Sequence, residues 1–407
     1  MNIFVFCAHW DNRGDEAAVR AMLDEIQKKY PDANIRMHNN MVIHEFPYEN
    51  IPHDVKLFYR PAGRNKLRLI PYWITIFSGG KINLLHASQK EAIKSMIEAI
   101  DWADLALYAP GGPNIGDYYR QYVMIDVMEL MYRRKTPYAF FAPSMGPFTS
   151  RRGRIRKMLQ RAEFVCLREA VSQSYVNELA PDVDAHVTLD SAFQHPVDTD
   201  KYEKQYLKYA SLKDYMGKYD RVVGITITDL LWHRNYHGPN AMDAVIKESF
   251  TKFVQHLTNQ GFGVIFIPQL FGNSSDRTYM SSFGNEHCFT VDDQHDCYFQ
   301  QYLISKLYAV VGMRYHSNIF SAKMGTPFIS VAYEHKMTGF MEKIHREDYC
   351  IPVKDLSADI LQHKFALLEE HYDQYKCQLT EEGPIRQKEA YQTTEYVIET
   401  IEKLQLN

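Results

Sequence analysis

The chain alternates short apolar runs with amphipathic helical segments along most of its 407 residues. The first run, "IFVFCAH", is followed by a Gly-containing loop and a segment whose apolar residues recur at helical spacing. The same order returns at "ADLALYAP", "TPYAFFAP" and "AEFVCL". Continuous apolar runs of this length are typical of strands buried on both faces, and helices between them connect parallel strands. The alternation therefore predicts an α/β fold with doubly wound parallel sheets.

The alternation is interrupted once, by a Lys- and Tyr-rich segment at residues 197–219, and begins again at "RVVGITIT". A chain this long normally exceeds a single core. We therefore expect two Rossmann-like domains facing a cleft: an N-terminal domain over residues 1–196 and a second domain over 220–350. Residues 351–407 are charged and helical in pattern, and are predicted to form a C-terminal helical tail.

Composition limits the classes of function. The formal net charge of -4 gives no overall positive field, so we expect no nucleic-acid partner. The six cysteines are scattered, several inside apolar runs, which is typical of reduced thiols. The N-terminus lacks the features of a signal peptide, and no apolar run is long enough to cross a bilayer. We expect a cytoplasmic protein.

Ligands of doubly wound sheets bind beyond the carboxyl ends of the strands, so the loops after the strands deserve most weight. The loop "HWDNRGDEA" carries Asn12, Gly14 and Asp15, where a helix N-terminus could receive an anion. A simple helix cap, with acidic residues complementing the helix dipole, explains the same residues, and from the residues alone we favour this simpler interpretation.

The loop "APGGPNIGD" places Gly112, Asn114 and Asp117 after a later strand. Its glycine spacing matches neither a P-loop nor the dinucleotide fingerprint. Glycines here permit close backbone approach to a ligand or to the other domain.

Arg168 follows the run "FVCL". A guanidinium at a strand end suits a carboxylate or phosphate ligand, and pairing with Glu169 or another acid is an equal alternative.

The segment "GMRYHSNIFSAKMGTP" is the most informative. If the strand before it continued, alternation would place Arg314 and His316 on one side and Tyr315 on the other. Ser317 or Asn318 could cap the next helix, and we expect both to contribute to substrate binding. An arginine and a histidine at a helix N-terminus can bind an anion and deliver a proton near neutral pH. The alternative is an arginine paired with an acidic neighbour and a histidine at the edge of the core, and we favour the functional interpretation.

Two basic stretches, "YRPAGRNKLRLIPYW" and "SRRGRIRKMLQR", are interpreted as solvated faces, with an anionic acceptor such as a lipid diphosphate at a membrane surface as the alternative. The stretch "HCFTVDDQHDC" matches no standard zinc spacing, and we expect no metal.

Taken together, "NRGDEA", "APGGPNIGD", "CLREAVS", "VTLDSAF" and the segment from residue 312 to 343 resemble the polysaccharide pyruvyl transferases, from about residue 9 to about residue 345. The last motif carries most of the resemblance, through Gly312, Arg314, His316, Gly325, Pro327, Tyr333, Lys336, Gly339 and Phe340. Two departures are Tyr315, where the family commonly has leucine, and Pro113, where a third glycine is usual.

The resemblance implies a GT-B-like fold, phosphoenolpyruvate as donor substrate, a sugar acceptor and a pyruvate ketal as product, without a cofactor. It carries the family's donor-site residues over to Arg314 and His316, with Arg168 as a third and Lys336 as a further binding residue. Asp15 and Asp117 are our candidates for the base that deprotonates the acceptor.

Alternatives remain open at this stage. A nucleotide-sugar glycosyltransferase or epimerase of the same architecture would need an acid to hold a ribose, and Glu334 is the nearby candidate. A non-catalytic carbohydrate-binding relative would bind without turnover. The acceptor is either lipid-linked, with peripheral contact at the inner face of the membrane, or free of lipid. The sequence does not indicate the oligomeric state.

Overall fold

The computed structural model describes residues 1–10, 12–40, 46–61, 66–111, 115–117, 122–236, 238, 241–271 and 275–406. These residues divide into two compact units. Unit 1 comprises Met1–Trp10, Ala18–Ser191 and Ala390–Asn407, and unit 2 comprises Asp11–Ala17 and Ala192–Glu389.

Unit 1 is built on a six-stranded parallel sheet with the order β2-β1-β3-β4-β5-β6. Its strands are β1 (Asn2–Ala8), β2 (Asn34–Asn39), β3 (Leu105–Tyr108), β4 (Tyr138–Phe140), β5 (Val165–Leu167) and β6 (Ala185–Val187). The helices along this part of the chain are α1 (Arg13–Lys29), α2 (Ile70–Phe77), α3 (Ala87–Trp102), α4 (Tyr122–Arg134), α5 (Arg152–Gln160) and α6 (Ala170–Leu179).

Unit 2 contains a second six-stranded parallel sheet, with the order β12-β11-β10-β7-β8-β9. Its strands are β7 (Val222–Thr226), β8 (Gly263–Phe266), β9 (Cys288–Thr290), β10 (Ala309–Gly312), β11 (Phe328–Ala332) and β12 (Cys350–Pro352). The helices are α7 (Thr199–Lys208), α8 (Ala210–Met216), α9 (Asp243–Asn259), α10 (Asp276–Ser281), α11 (Cys297–Ser305), α12 (Tyr315–Lys323), α13 (His335–Lys343), α14 (Ala358–Glu370) and α15 (Tyr372–Leu406).

Residues along β1 show how the sheet of unit 1 is buried on both faces. Phe4 and Phe6 pack into one apolar cluster, while Ile3 and Val5 pack into another. Since successive side chains of a strand point to opposite faces, a continuous apolar run is what a doubly covered strand requires. The predicted fold class, two α/β units with doubly wound parallel sheets and a C-terminal helix, is confirmed.

The unit boundaries differ from those expected. Residues 11–17 group with unit 2 although the chain on either side of them belongs to unit 1. The segment 351–407 is helical over much of its length but is not a unit of its own, since its last part, Ala390–Asn407, belongs to unit 1. The physical reason is burial: Val397 and Ile401 of α15 pack into the same cluster as Ile3 and Val5.

Over the part of the chain that the structure describes, none of the helices combines the length and the apolar composition that a membrane span requires.

Candidate active site

The sheet of unit 2 reverses its winding direction between β7 and β10. From β7 the chain proceeds to β8 and β9 on one side, and then crosses over to β10, β11 and β12 on the other. At such a switch point the connections leave neighbouring strands in opposite directions and open a crevice at their carboxyl ends. The residues following Thr226 of β7 and Gly312 of β10 are therefore the best-placed candidates for ligand contact.

The turn from β10 into α12 is fixed by hydroxyl groups. Thr226 Oγ1 accepts the backbone N–H groups of Met313 at 3.1 Å and Arg314 at 3.2 Å. Ser317 Oγ donates to the carbonyl oxygen of Arg314 at 2.6 Å and lies 2.8 Å from Thr226 Oγ1. These bonds hold Arg314 at the position preceding α12, in extended conformation.

β10 ends at Gly312, a position where no larger residue fits. A Cβ atom at this position would lie 2.0 Å from Asn318 Oδ1 and 2.6 Å from Ser317 Oγ. Ser317 and Asn318 are fully buried, and Asn318 Nδ2 donates to Ser330 Oγ of β11 at 2.9 Å. These two predicted binding residues thus make their visible hydrogen bonds inside the fold, where they shape the turn.

The guanidinium group of Arg314 forms a bidentate ion pair with the carboxylate of Asp276. Its Nε donates to Asp276 Oδ2 at 3.0 Å and its Nη2 donates to Oδ1. Burial by itself would lower the pKa of Arg314, but the charge of Asp276 outweighs burial and holds that pKa above the ordinary value. Within the described residues, Nη1 of Arg314 has no hydrogen-bond acceptor, so it remains available to an anionic ligand.

Asp276 is itself tied to the loop that follows β8. The same Oδ2 atom accepts the backbone N–H groups of Gln269 at 3.2 Å and Leu270 at 3.0 Å. The Arg314–Asp276 pair therefore links the carboxyl ends of β8 and β10, so that removing either partner should disturb both.

His316 packs against the first turn of α1. A Cβ atom built on Gly14 would lie 2.1 Å from His316 Nδ1 and 2.4 Å from His316 Cβ, so the imidazole lies directly on the glycine. Asn12 Oδ1 accepts the backbone N–H of Gly14 at 2.8 Å, and Asn12 forms an antiparallel bridge with Leu270.

Asp15 lies in the same turn of α1 and is partly exposed. The predicted residues Asn12, Gly14 and Asp15 thus belong to the same compact unit as Arg314 and His316. We had expected them in the N-terminal domain. The non-local bridge to Leu270 explains the difference.

The expectation based on strand alternation around Arg314 and His316 does not apply, because β10 ends at Gly312 and α12 begins at Tyr315. The ring of Tyr315 is buried, with its centroid 5.0 Å from that of His316. Lys336 Nζ lies 5.8 Å from the Tyr315 ring centroid. Tyr315 is therefore part of the cluster around His316 and does not point away from it.

A buried carboxylate, Glu334, joins a lysine and a histidine at the carboxyl end of β11. Glu334 Oε1 lies 2.9 Å from His233 Nε2, and Glu334 Oε2 lies 2.7 Å from Lys336 Nζ. His233 Nδ1 accepts the backbone N–H of Asn235 at 3.3 Å, which assigns the proton on this ring to Nε2. Glu334 thus accepts from His233 and forms an ion pair with Lys336.

Sequence reasoning missed the roles of His233 and Asp276. Both follow strands of the sheet, β7 and β8, within short distance along the chain. The rule that ligand-binding residues follow the carboxyl ends of strands, which selected Arg314, would also have selected His233 and Asp276 if it had been applied to the loops after β7 and β8.

Arg168 lies in unit 1, between β5 and α6, and is buried among acids. Its Nη1 donates to Asp190 Oδ2 at 2.8 Å, its Nε donates to Ser144 Oγ at 2.8 Å, and Glu169 Oε2 lies 3.6 Å away. The two carboxylates more than balance its charge, which is the alternative that the sequence had left open.

Asp117 also lies in unit 1, where it organises a turn. Its Oδ2 accepts the backbone N–H of Thr149 at 2.7 Å, and the hydroxyl groups of Tyr122 and Ser150 donate to Oδ1, each at 3.3 Å. Partial burial would raise the pKa of Asp117, but these hydrogen bonds outweigh it and lower the pKa, which makes the carboxylate a weaker base. Gly112 and Asn114 lie outside the described residues.

Gly14 offers a direct test of the packing around His316. Alanine at this position would overlap the imidazole and should destabilise the protein by about 1–3 kcal/mol. The matched control is Gly153→Ala in α5, where an added Cβ atom meets nothing within 4 Å and should be neutral or slightly stabilising. Urea unfolding of both variants measures the difference, and equal stabilities would show that His316 does not lie on Gly14.

Comparisons with known proteins agree with this architecture. A sequence model of the family described as "Polysaccharide pyruvyl transferase" matches residues 12–335. The amylovoran biosynthesis protein AmsJ of Erwinia amylovora is 22% identical over 394 residues, which cover 90% of this chain and 92% of that protein.

Solved structures share the fold. A putative UDP-N-acetylglucosamine 2-epimerase from Listeria monocytogenes matches with a TM-score of 0.60 at 11% identity, over 99% of this chain and 97% of the other. The UDP-GlcNAc 2-epimerase from Neisseria meningitidis matches with a TM-score of 0.56 at 12% identity, over 98% and 100%. At these identities the likeness concerns the fold alone. The family match covers most of the chain, and the chain belongs to the polysaccharide pyruvyl transferase family.

Proposed function

We propose that this protein transfers the enolpyruvyl group of phosphoenolpyruvate onto two hydroxyl groups of one sugar, forming a pyruvate ketal and releasing phosphate. The observation that carries the proposal is the position of the family's Arg-x-His segment. Arg314 and His316 stand at the switch point of the unit 2 sheet, where ligands of such sheets bind.

The donor carries a carboxylate and a phosphate on a small frame, and both need hydrogen-bond donors of fixed geometry. Arg314 is held rigidly by Asp276 and still has Nη1 to offer. The backbone N–H groups in the first turn of α12 add further donors, since a helix N-terminus favours anions.

Positive charge at this place is already partly compensated. Arg314 faces Asp276, and Lys336 faces Glu334. Each pair is neutral as a whole, so the two pairs contribute directed hydrogen-bond donors to the site and little net positive charge. We therefore assign to His316, in its imidazolium form, the additional charge that attracts the donor, together with the proton that starts the reaction.

The reaction begins with proton transfer to the terminal methylene carbon of the donor, which makes C2 electrophilic. One sugar hydroxyl attacks C2, the bond between C2 and the phosphate oxygen breaks, and the second hydroxyl closes the ketal. The two protons lost by the sugar hydroxyl groups are accounted for in the products: one is matched by the proton gained in the new methyl group, and the other is carried by the released phosphate. His316 would deliver the proton to carbon.

The base that deprotonates the acceptor is assigned to Asp15 in preference to Asp117. Asp15 belongs to the same compact unit as His316 and lies one residue beyond Gly14, against which the imidazole packs. Asp117 is hydrogen-bonded in a way that lowers its pKa.

Glu334 is a poor candidate for holding a ribose. His233 and Lys336 already contact its two carboxylate oxygens.

The test is a thermal-shift titration with phosphoenolpyruvate beside UDP, GDP and UDP-sugars. We expect saturable stabilisation by phosphoenolpyruvate, followed by phosphate release when a suitable sugar is added and by a new methyl signal of the ketal in the NMR spectrum. Stabilisation by nucleotides alone would replace the proposal with a nucleotide-sugar enzyme. Binding of phosphoenolpyruvate without turnover on a broad sugar panel would indicate a non-catalytic relative.

A further inference from the structure

Exposed large apolar side chains are concentrated in one region of unit 1. Among the described residues, seven of the fourteen such side chains fall between residues 59 and 84, so they are not scattered over the surface. Four of them, Leu67, Ile70, Ile74 and Phe77, are 71%, 48%, 38% and 42% exposed. Large apolar side chains exposed close together along the chain are typical of an interaction surface.

These four residues form one face of a helical segment, which we call the α2 face. A 3₁₀ turn at Lys66–Leu69 leads directly into α2, and spacings of three and four residues place the side chains on one side. The opposite side of α2 is anchored in the protein. Tyr72, Thr75 and Ile76 are fully buried, and Tyr72 Oη donates to Asp126 Oδ2 at 2.6 Å.

Three arginines lie over aromatic rings of α2, and one of these rings, that of Phe77, belongs to the α2 face. The guanidinium groups of Arg60 and Arg154 each lie 5.0 Å from the ring of Trp73, and that of Arg133 lies 5.6 Å from the ring of Phe77. Such stacking presents cations beside apolar surface, as at a membrane interface.

Two further cations, Lys157 and Arg161, line a pocket together with Arg133, Arg154 and Phe77. Glu129 pairs with Arg133 and Arg161, and Asp126 pairs with Arg154, so the cations here outnumber the carboxylates that pair with them. Burial and the neighbouring guanidinium groups of Arg60 and Arg154 lower the pKa of Arg151, as expected where positive charge is in excess.

We propose that the α2 face docks onto an anionic phospholipid bilayer, with its apolar side chains in the interfacial region and the surrounding cations against lipid phosphates. Apolar insertion and electrostatic attraction reinforce each other in such interfacial binding. A second copy of the chain is a poorer occupant. A symmetric dimer through this face would bring the same arginines against each other.

The experiment is co-sedimentation of the full chain with vesicles of phosphatidylglycerol and phosphatidylcholine in equal parts, beside vesicles of phosphatidylcholine alone. We expect binding to the anionic vesicles and little binding to the neutral ones. The double variant Ile70→Gln/Ile74→Gln should bind the anionic vesicles about tenfold more weakly or worse, because two apolar side chains no longer enter the interface. High salt should also weaken binding.

Matched controls separate this face from general effects. Leu207→Gln/Ile385→Gln removes two exposed apolar side chains from unit 2 and should leave vesicle binding unchanged. For the charges, Arg133→Gln/Lys157→Gln should weaken binding, whereas Lys247→Gln/Lys252→Gln on α9 should not. Thermal unfolding verifies that each variant is folded.

Three outcomes would overturn the proposal. These are absence of binding to anionic vesicles by the unaltered chain, equal binding by the α2 variant, and equal losses in the control variants. Light scattering tests the other candidate partner of the α2 face, a second copy of the chain. A dimer that dissociates on Ile70→Gln/Ile74→Gln, without vesicle binding, would assign the α2 face to self-association instead.

Discussion

Replacing Arg314 with alanine should lower the free energy of unfolding by about 3–5 kcal/mol and abolish stabilisation by phosphoenolpyruvate. The first effect follows from burial. Asp276 would remain as an uncompensated carboxylate between the ends of β8 and β10. The second follows from the proposed role of the guanidinium in binding the donor. Urea unfolding measures the first, and the thermal-shift titration measures the second.

Because one substitution affects both quantities, a second variant is needed to separate them. Arg314→Met/Asp276→Asn removes both buried charges, and the asparagine oxygen can still accept from the backbone of Gln269 and Leu270. This double variant should recover most of the lost stability, since apolar or neutral replacements of a buried ion pair are well tolerated. It should not recover donor binding. If it binds phosphoenolpyruvate as the unaltered protein does, Arg314 holds the fold and not the donor.

How far sequence reasoning reached can be judged around Arg314. Apolar runs and helical spacing predicted two parallel sheets, and the strand-end rule predicted that Arg314 and His316 would follow β10. Both predictions rest on local signals, because the apolar run of a buried strand and the helical spacing of the segment after it lie in neighbouring stretches of sequence.

The partners of these residues could not be predicted in the same way. Asp276 precedes Arg314 by 38 residues, and Gly14 lies near the N-terminus, far from His316 in the sequence. Only the assembled fold brings Asp276 to Arg314 and Gly14 to His316. Asn318 and Ser317 fill the space beside Gly312, so only glycine fits at the end of β10. Strand alternation could not reveal this. The grouping of residues 11–17 with unit 2 rests on the bridge between Asn12 and Leu270, which is equally non-local.

His316→Ala should reduce turnover by about 10²–10⁴-fold while changing donor affinity much less, because the imidazole is proposed to deliver a proton. The measurement is phosphate release from phosphoenolpyruvate with an acceptor on which the unaltered protein turns over. Added imidazole should restore part of the activity, since the substitution leaves a space of the right shape against Gly14. A purely structural role would not give this rescue.

Tyr315→Phe is the matched control for His316, at the preceding position of the same helical turn. It keeps the aromatic ring beside His316 and Phe340 and removes only the hydroxyl group, which takes no part in the proposed proton transfer, so turnover should fall much less than in His316→Ala. If His316→Ala loses donor binding and turnover in equal proportion, and imidazole restores neither, the residue holds the donor in place and the proton comes from another group. Asp15 and Lys336 would then be the next residues to replace, because Asp15 adjoins Gly14, on which the His316 ring lies, and Lys336 approaches the ring of Tyr315.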